Sequence, residues 1–144
     1  MARLSLSRAN RVVSLIFAEA RTRGLKPLAV VVLDTGGSVK TAQTQDGVPF
    51  GRFEVAAGKA RGALFTGSAS RTLHAMAGER PHFLQGVASV LAGGIVPVPG
   101  GVTIRSPSGQ VLGAVGVSGD TSDNDEAAAA AAIARAGLVA GSVG

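Results

Sequence analysis

Gly113-Ala-Val-Gly-Val-Ser-Gly-Asp-Thr-Ser-Asp-Asn-Asp-Glu126 joins a glycine-spaced apolar strand directly to an acidic helix start. Glycines at 113, 116 and 119 remove side chains where another backbone or a ligand comes close, and Thr121, Ser122 and Asp123 offer three alternative N-caps. Asp123, Asp125 and Glu126 favour the positive end of the helix dipole. A strand-to-helix joint of this kind invites a phosphate-binding reading, which the residues argue against. The spacing is GxxGxxG rather than GxGxxG, no Gly-Lys-Ser/Thr follows, and acids at 120, 123, 125 and 126 repel phosphate. Ser118 is not set in a Gly-x-Ser-x-Gly elbow and has little claim as a hydrolase nucleophile.

Working outward, Leu6, Ala9, Val13, Ile16, Phe17 and Ala20 recur at three- and four-residue steps, which predicts an amphipathic helix from Ser5 or Ser7 to Gly24. The β-branched run Leu28 to Leu33 predicts a strand covered on both faces. Asp34-Thr-Gly-Gly37 turns the chain, and Ser38 to Gln43 returns as an antiparallel strand. A helix from Arg52 to Phe65 carries Ala56, Ala57, Gly58, Ala60, Gly62 and Ala63, a surface able to pack closely on a sheet or another subunit. Ser70 opens a short helix through Ala77, and Pro81 another through about Leu91. Ile95 to Val98, Val102 to Arg105 and Gln110 to Val117, joined by Pro/Gly-rich turns, predict a three-stranded meander. The alanine-dense last helix is expected from Asp123 to Ala140, stopped by Gly141.

A chain of 144 residues is the usual size of one domain, so residues 1–144 are expected to form a single unit. Hydrophobic residues make up 46% and mean hydropathy is +0.34, yet no apolar run approaches the roughly 20 residues that span a bilayer. That surplus points to buried subunit interfaces. Met1-Ala-Arg leads into a polar-capped amphipathic segment rather than a signal-like apolar stretch, which predicts a cytoplasmic protein without membrane attachment. With no cysteine, thiolate nucleophiles, iron-sulfur clusters and cysteine zinc sites are excluded. The net charge of +5 suggests an acidic partner, but much of the positive charge lies in the first helix region (Arg3, Arg8, Arg11, Arg21, Arg23, Lys26). With no Trp, no Tyr and only five scattered Phe, stacking aromatics do not accompany it, so nucleic acid is not expected as a partner.

Candidate chemistry is spread thinly. Asp34 beside Gly36 and Gly37 either accepts a ligand hydrogen bond or closes an Asx turn. Arg52 and Lys59 are seven apart on nearly one helix face and either grip a carboxylate or form a solvated stripe; Glu54 lies off that stripe. His74 and His82, the only histidines, are candidate axial haem ligands, and without Cys-x-x-Cys-His any haem would be non-covalent. They do not form a zinc motif, and no other metal site is expected.

Val30-Val-Val-Leu-Asp-Thr-Gly-Gly37, Phe53-Glu-Val-Ala-Ala-Gly-Lys-Ala60, Gly93-Gly-Ile-Val-Pro97 and Gly113-Ala-Val-Gly-Val-Ser-Gly119 with Asp125-Glu126 together resemble the GlcG/HbpS-like haem-binding family. The resemblance covers nearly the whole chain. It implies an α/β (α+β) fold: a three-layer α/β/α single domain with a five-stranded, mainly antiparallel sheet flanked by helices, assembled as a dimer-based homo-oligomer, a ring or octamer. It also implies a small-molecule ligand, haem or another planar anionic compound, in a pocket between subunits formed by the second helix and the Gly94 to Val98 region. Asp34, Lys59, Ser118 and Gly119 match the family's motif positions, and Arg52 and Gly94 complete the expected ligand-binding set. Relatives also include the carboxy-terminal domain of PduO-type proteins and hydroxylaminobenzoate lyases, so a cofactor-free lyase or isomerase acting on a small aromatic or keto acid is the alternative. In it Lys59 or Glu54 moves a proton and Arg52 holds the substrate carboxylate.

Overall fold

The computed structural model describes residues 3–141. Helix α1 (Leu6–Arg23) starts where the Ser5 hydroxyl accepts the Arg8 N–H at 3.1 Å. It ends in a Schellman motif: Leu25 N–H reaches Ala20 O at 2.9 Å and Gly24 N–H reaches Arg21 O at 3.3 Å, with Gly24 left-handed. Strands β1 (Ala29–Asp34) and β2 (Val39–Thr44) form the expected hairpin, followed by α2 (Arg52–Thr66), α3 (Arg71–Glu79) and α4 (Pro81–Val90). Strands β3 (Gly101–Arg105) and β4 (Val111–Ser118), helix α5 (Ser122–Arg135) and the two-residue β5 (Val139–Ala140) follow. Among the described residues no helix is long and apolar enough to cross a membrane.

The five strands lie in the order β2-β1-β4-β3-β5, and every pairing is antiparallel. Strand β1 sits inside the sheet and is buried on both faces: Val30 and Val32 join the core under α1 and α5, while Ala29, Val31 and Leu33 pack against α2. The continuous apolar run therefore serves two layers at once. This is the α/β/α domain with a five-stranded sheet that the family blocks imply.

Two local expectations are corrected. Ile95 to Val98 is not a strand. Pro97 and Pro99 remove two ladder donors, and the segment lies along α2 instead, with Val96 N–H on Gly58 O at 3.2 Å and Val98 O accepting the Ser70 hydroxyl at 2.6 Å. The fifth strand is β5, so the meander reduces to the β3–β4 hairpin. It exists because α5 ends at Arg135 rather than running to Ala140. Leu138 N–H bonds Ile133 O at 3.1 Å and Gly137 N–H bonds Ala134 O at 3.0 Å, a second Schellman motif with Gly137 at φ 79°. Gly141 is used elsewhere, its N–H on Thr103 O at 2.8 Å.

The glycines of the opening stretch are explained by packing. A Cβ would overlap Leu33 O at Gly113, Ala56 O of α2 at Gly116 and Pro27 O at Gly119, and at Gly101 of β3 it would overlap Lys59 O. Helix α2 thus rests its backbone on β3 and β4, through the small residues Ala56, Ala60 and Ala63. Of the three candidate caps, Thr121 caps α5, its hydroxyl accepting Asn124 N–H at 3.2 Å.

Candidate functional site

Helix α2 lies on β1, β4 and β3, and the two ends of those strands differ in character. At the end where β4 leaves the sheet, the Lys59 side chain enters the interior at 2% exposure. Its ammonium donates to Val117 O at 2.9 Å and to Asp125 Oδ2 at 3.2 Å. Asp125, in the first turn of α5, is 1% exposed, and its Oδ1 accepts Asp120 N–H at 3.0 Å. The pair joins helices from opposite faces of the sheet around the end of β4. Burial pulls the Lys59 ammonium below its ordinary value and pushes the Asp125 carboxyl above its own, each opposed by the partner's charge. Ser118 and Gly119 adjoin this joint, Ser118 being buried.

Further polar partners surround it. The Ser70 hydroxyl accepts Gly101 N–H at 2.8 Å, and Arg71 of α3 donates to Glu126 at 3.1 Å and to Asp123. Burial raises the Glu126 carboxyl, with Arg71 opposing that shift. Asp120 receives Lys26 N–H at 2.9 Å and Asn124 Nδ2 at 2.8 Å, and the Lys26 contact above all holds its carboxyl below the usual range. Arg52 and Glu54, in the first turn of α2, are exposed; Arg52 is close enough for its charge to oppose the Lys59 ammonium.

The other end is open. Leu64 and Phe65, with Leu91, Ala92 and the Thr35-Gly-Gly37 turn, line a cleft of about 380 Å³. Arg61 fixes one wall, its guanidinium donating to Gly94 O and Gly93 O, both at 2.6 Å. Gly94 is therefore placed by its carbonyl. Phe65, 44% exposed, meets Phe83 of α4 with ring centroids 6.4 Å apart, and Arg80 lies 4.4 Å over the Phe83 ring. His82 is exposed in the first turn of α4 next to Phe83, and His74 is exposed on α3. Asp34 ends β1 behind the turn, its Oδ1 accepting Gly36 N–H at 2.9 Å and Ser38 N–H at 3.0 Å in an Asx turn.

The residues singled out from sequence thus fall into two groups. Lys59, Ser118, Gly119 and, peripherally, Arg52 and Glu54 lie toward the closed end; Asp34 and Gly94 lie toward the open one, and His82 adjoins the aromatic pair there. Sequence reasoning missed Arg61, Phe65, Arg80 and Phe83 as members of one surface, and Asp125 as the partner of Lys59. A lysine flanked by Gly58 and Ala60 in an apolar helix was itself the signal that a buried acid must be found for it. Among the described residues no cluster of three or more His, Asp or Glu is placed to hold a metal ion.

An antiparallel five-stranded sheet between two helical layers, with its second helix laid on a glycine-bearing strand, defines a class of small α/β domains. The chain belongs to the HbpS-like haem-degrading protein family, whose model matches residues 4–134. Its fold is shared with the solved PduOC:haem complex, at 25% identity and TM-score 0.80 over 92% of this chain and 94% of that one. It is also shared with Klebsiella pneumoniae protein ORFY, at 22% identity and TM-score 0.82 over 94% of this chain and 92% of that one. A double mutant of Streptomyces reticuli HbpS is 23% identical with TM-score 0.80, over 94% of this chain and 88% of that one. No curated protein is significantly similar to the chain.

Proposed function

We propose that this protein binds haem or another planar anionic compound, as a homo-oligomer. The observation that carries the reading is the match to a relative solved as a haem complex, 25% identical over 92% of this chain, within a family described as haem degrading. The open end supplies groups suited to such a ligand. Leu64, Phe65 and Leu91 offer an apolar wall, Phe83 a second aromatic ring, Arg80 a cation for a propionate, and His82 an imidazole for iron. Haem held there would supply a redox-active iron; this chain's own residues would bind it, orient it and limit its contact with water. Phe65 of the cleft, Phe83 packed on it and Val90 next to Leu91 in sequence are 44%, 38% and 81% exposed, and a second copy covering them would enclose the ligand.

A proton-transfer role for Lys59 would require its ammonium to leave Asp125 and Val117 O, and Glu54 to reach it from the solvent side. No contact favours that arrangement. Hemin titrated into the purified protein is expected to give a saturable Soret shift at one site per protomer. His82→Ala is expected to abolish the shift and His74→Ala to leave it. An unchanged spectrum in the parent protein refutes haem binding, and a full shift in His82→Ala refutes the ligand assignment.

A further inference from the structure

The Thr35-Gly-Gly37 turn has a second cleft on its other side. It measures about 440 Å³ and lies between the start of α1, the β1–β2 turn and the start of β4. Its lining is amphiphilic. Leu4 and Leu112, each 3% exposed, form an apolar base, whereas Arg3 and Lys40 bring two cations and Gln110 an amide to the rim. Neither Arg3 nor Lys40 has an ion-pair partner among the described residues. Among the described residues the sole acid of the lining is Asp34, which has one oxygen engaged by the backbone of its own turn. Two cations against one carboxylate leave a single positive charge over a hydrophobic base.

We infer that this cleft is a binding site for a small monoanionic organic acid, its carboxylate between Arg3 and Lys40 and its hydrocarbon part against Leu4 and Leu112. An arginine fork matches the two oxygens of a carboxylate, the lysine adds a point charge, and the cleft volume falls within the range of small-molecule sites. Arg61, Phe65 and Leu91 lie on the far side of the turn, so this site is separate from the one proposed for haem, and the two share only Thr35 and Gly36.

Benzoate is a suitable probe, followed by amide chemical shifts of the haem-free protein. Saturable shifts are expected at Thr35, Ser38, Gln110 and Val111, with Leu64, Phe65 and Ala92 unmoved. Arg3→Gln/Lys40→Gln, both surface positions, should fold normally and weaken binding by roughly tenfold or more. Benzylamine, of similar shape and opposite charge, should not bind. The inference is overturned by the absence of saturable shifts, by shifts confined to the Phe65 side, by undiminished affinity in the double variant, or by equal binding of benzylamine. Because the readout uses no haem, failure of the haem reading leaves it standing and its failure leaves that reading standing.

Discussion

Lys59 and Arg61, two residues apart on α2, carry their charges to opposite purposes. Lys59 goes inward, where an ammonium without a counter-charge would be prohibitive, and the fold supplies Asp125, Val117 O and a loop of glycines around it. Arg61 instead stays near the surface and uses backbone carbonyls of an irregular loop, beside phenylalanines left exposed. In the first case the ammonium is buried against a carboxylate and a backbone carbonyl. In the second, apolar surface and cationic groups remain available. The conspicuous buried charge thus ties α2 to α5 across the sheet, whereas the rim of Phe and Arg stays accessible to solvent.

The comparison can be broken most forcefully at Asp125. Asp125→Ala leaves the Lys59 ammonium buried and unpaired and is expected to cost about 3–5 kcal/mol in urea unfolding. Adding Lys59→Met should restore most of that loss; a double variant as unstable as the single one would mean that the charges themselves are not the issue. Next in size is Gly116→Ala. Its Cβ meets Ala56 O, a backbone atom that cannot rotate aside, so α2 must lift from β4 at a cost of about 2–3 kcal/mol. An unchanged unfolding midpoint would show that the layers are less tightly seated than the structure has them.

A third test concerns pH. The Asp120 carboxyl is held low by Lys26 N–H first, then by Asn124 and Thr121. A depressed carboxyl stabilises the fold fully above its unfolded value near 3.8 and loses that contribution as pH falls through the lower folded value. The stability gap between the parent protein and Asp120→Asn should therefore be present at pH 6 and shrink below about pH 4. A gap independent of pH would assign the effect to hydrogen bonding alone. The smallest effect is expected at the open end. Phe65→Ser removes a half-exposed ring and should cost less than about 1 kcal/mol, while weakening hemin binding. A large loss of stability there would make Phe65 a core residue and blur the contrast between the ends.

Several elements were readable because their signals are local. Ser5 and Gly24 bracket α1 at its observed limits, and the Leu28-to-Leu33 run with Asp34 to Gly37 gives both a doubly covered strand and its turn. The errors have physical causes of the same order. Ile95 to Val98 has strand-like residues, but Pro97 and Pro99 leave too few donors for a ladder, and the glycines of α2 offered it another seat. The end of α5 was hidden by alanines on both sides of the true stop, although Gly137-Leu138 repeats the Gly24-Leu25 pair that ends α1.

The sequence by itself determined the order of elements through α4, the need for a close approach at Gly116, and the family blocks that name the fold, because caps, periodicity and small-residue spacing act within a few residues. Only the tertiary structure decided that Lys59 belongs with Asp125, 66 residues away, that Arg61 pins the Gly93–Gly94 loop, and that Phe65 and Phe83 share a surface. Those pairings depend on which helix faces cross the ends of the sheet, and no local pattern carries that information.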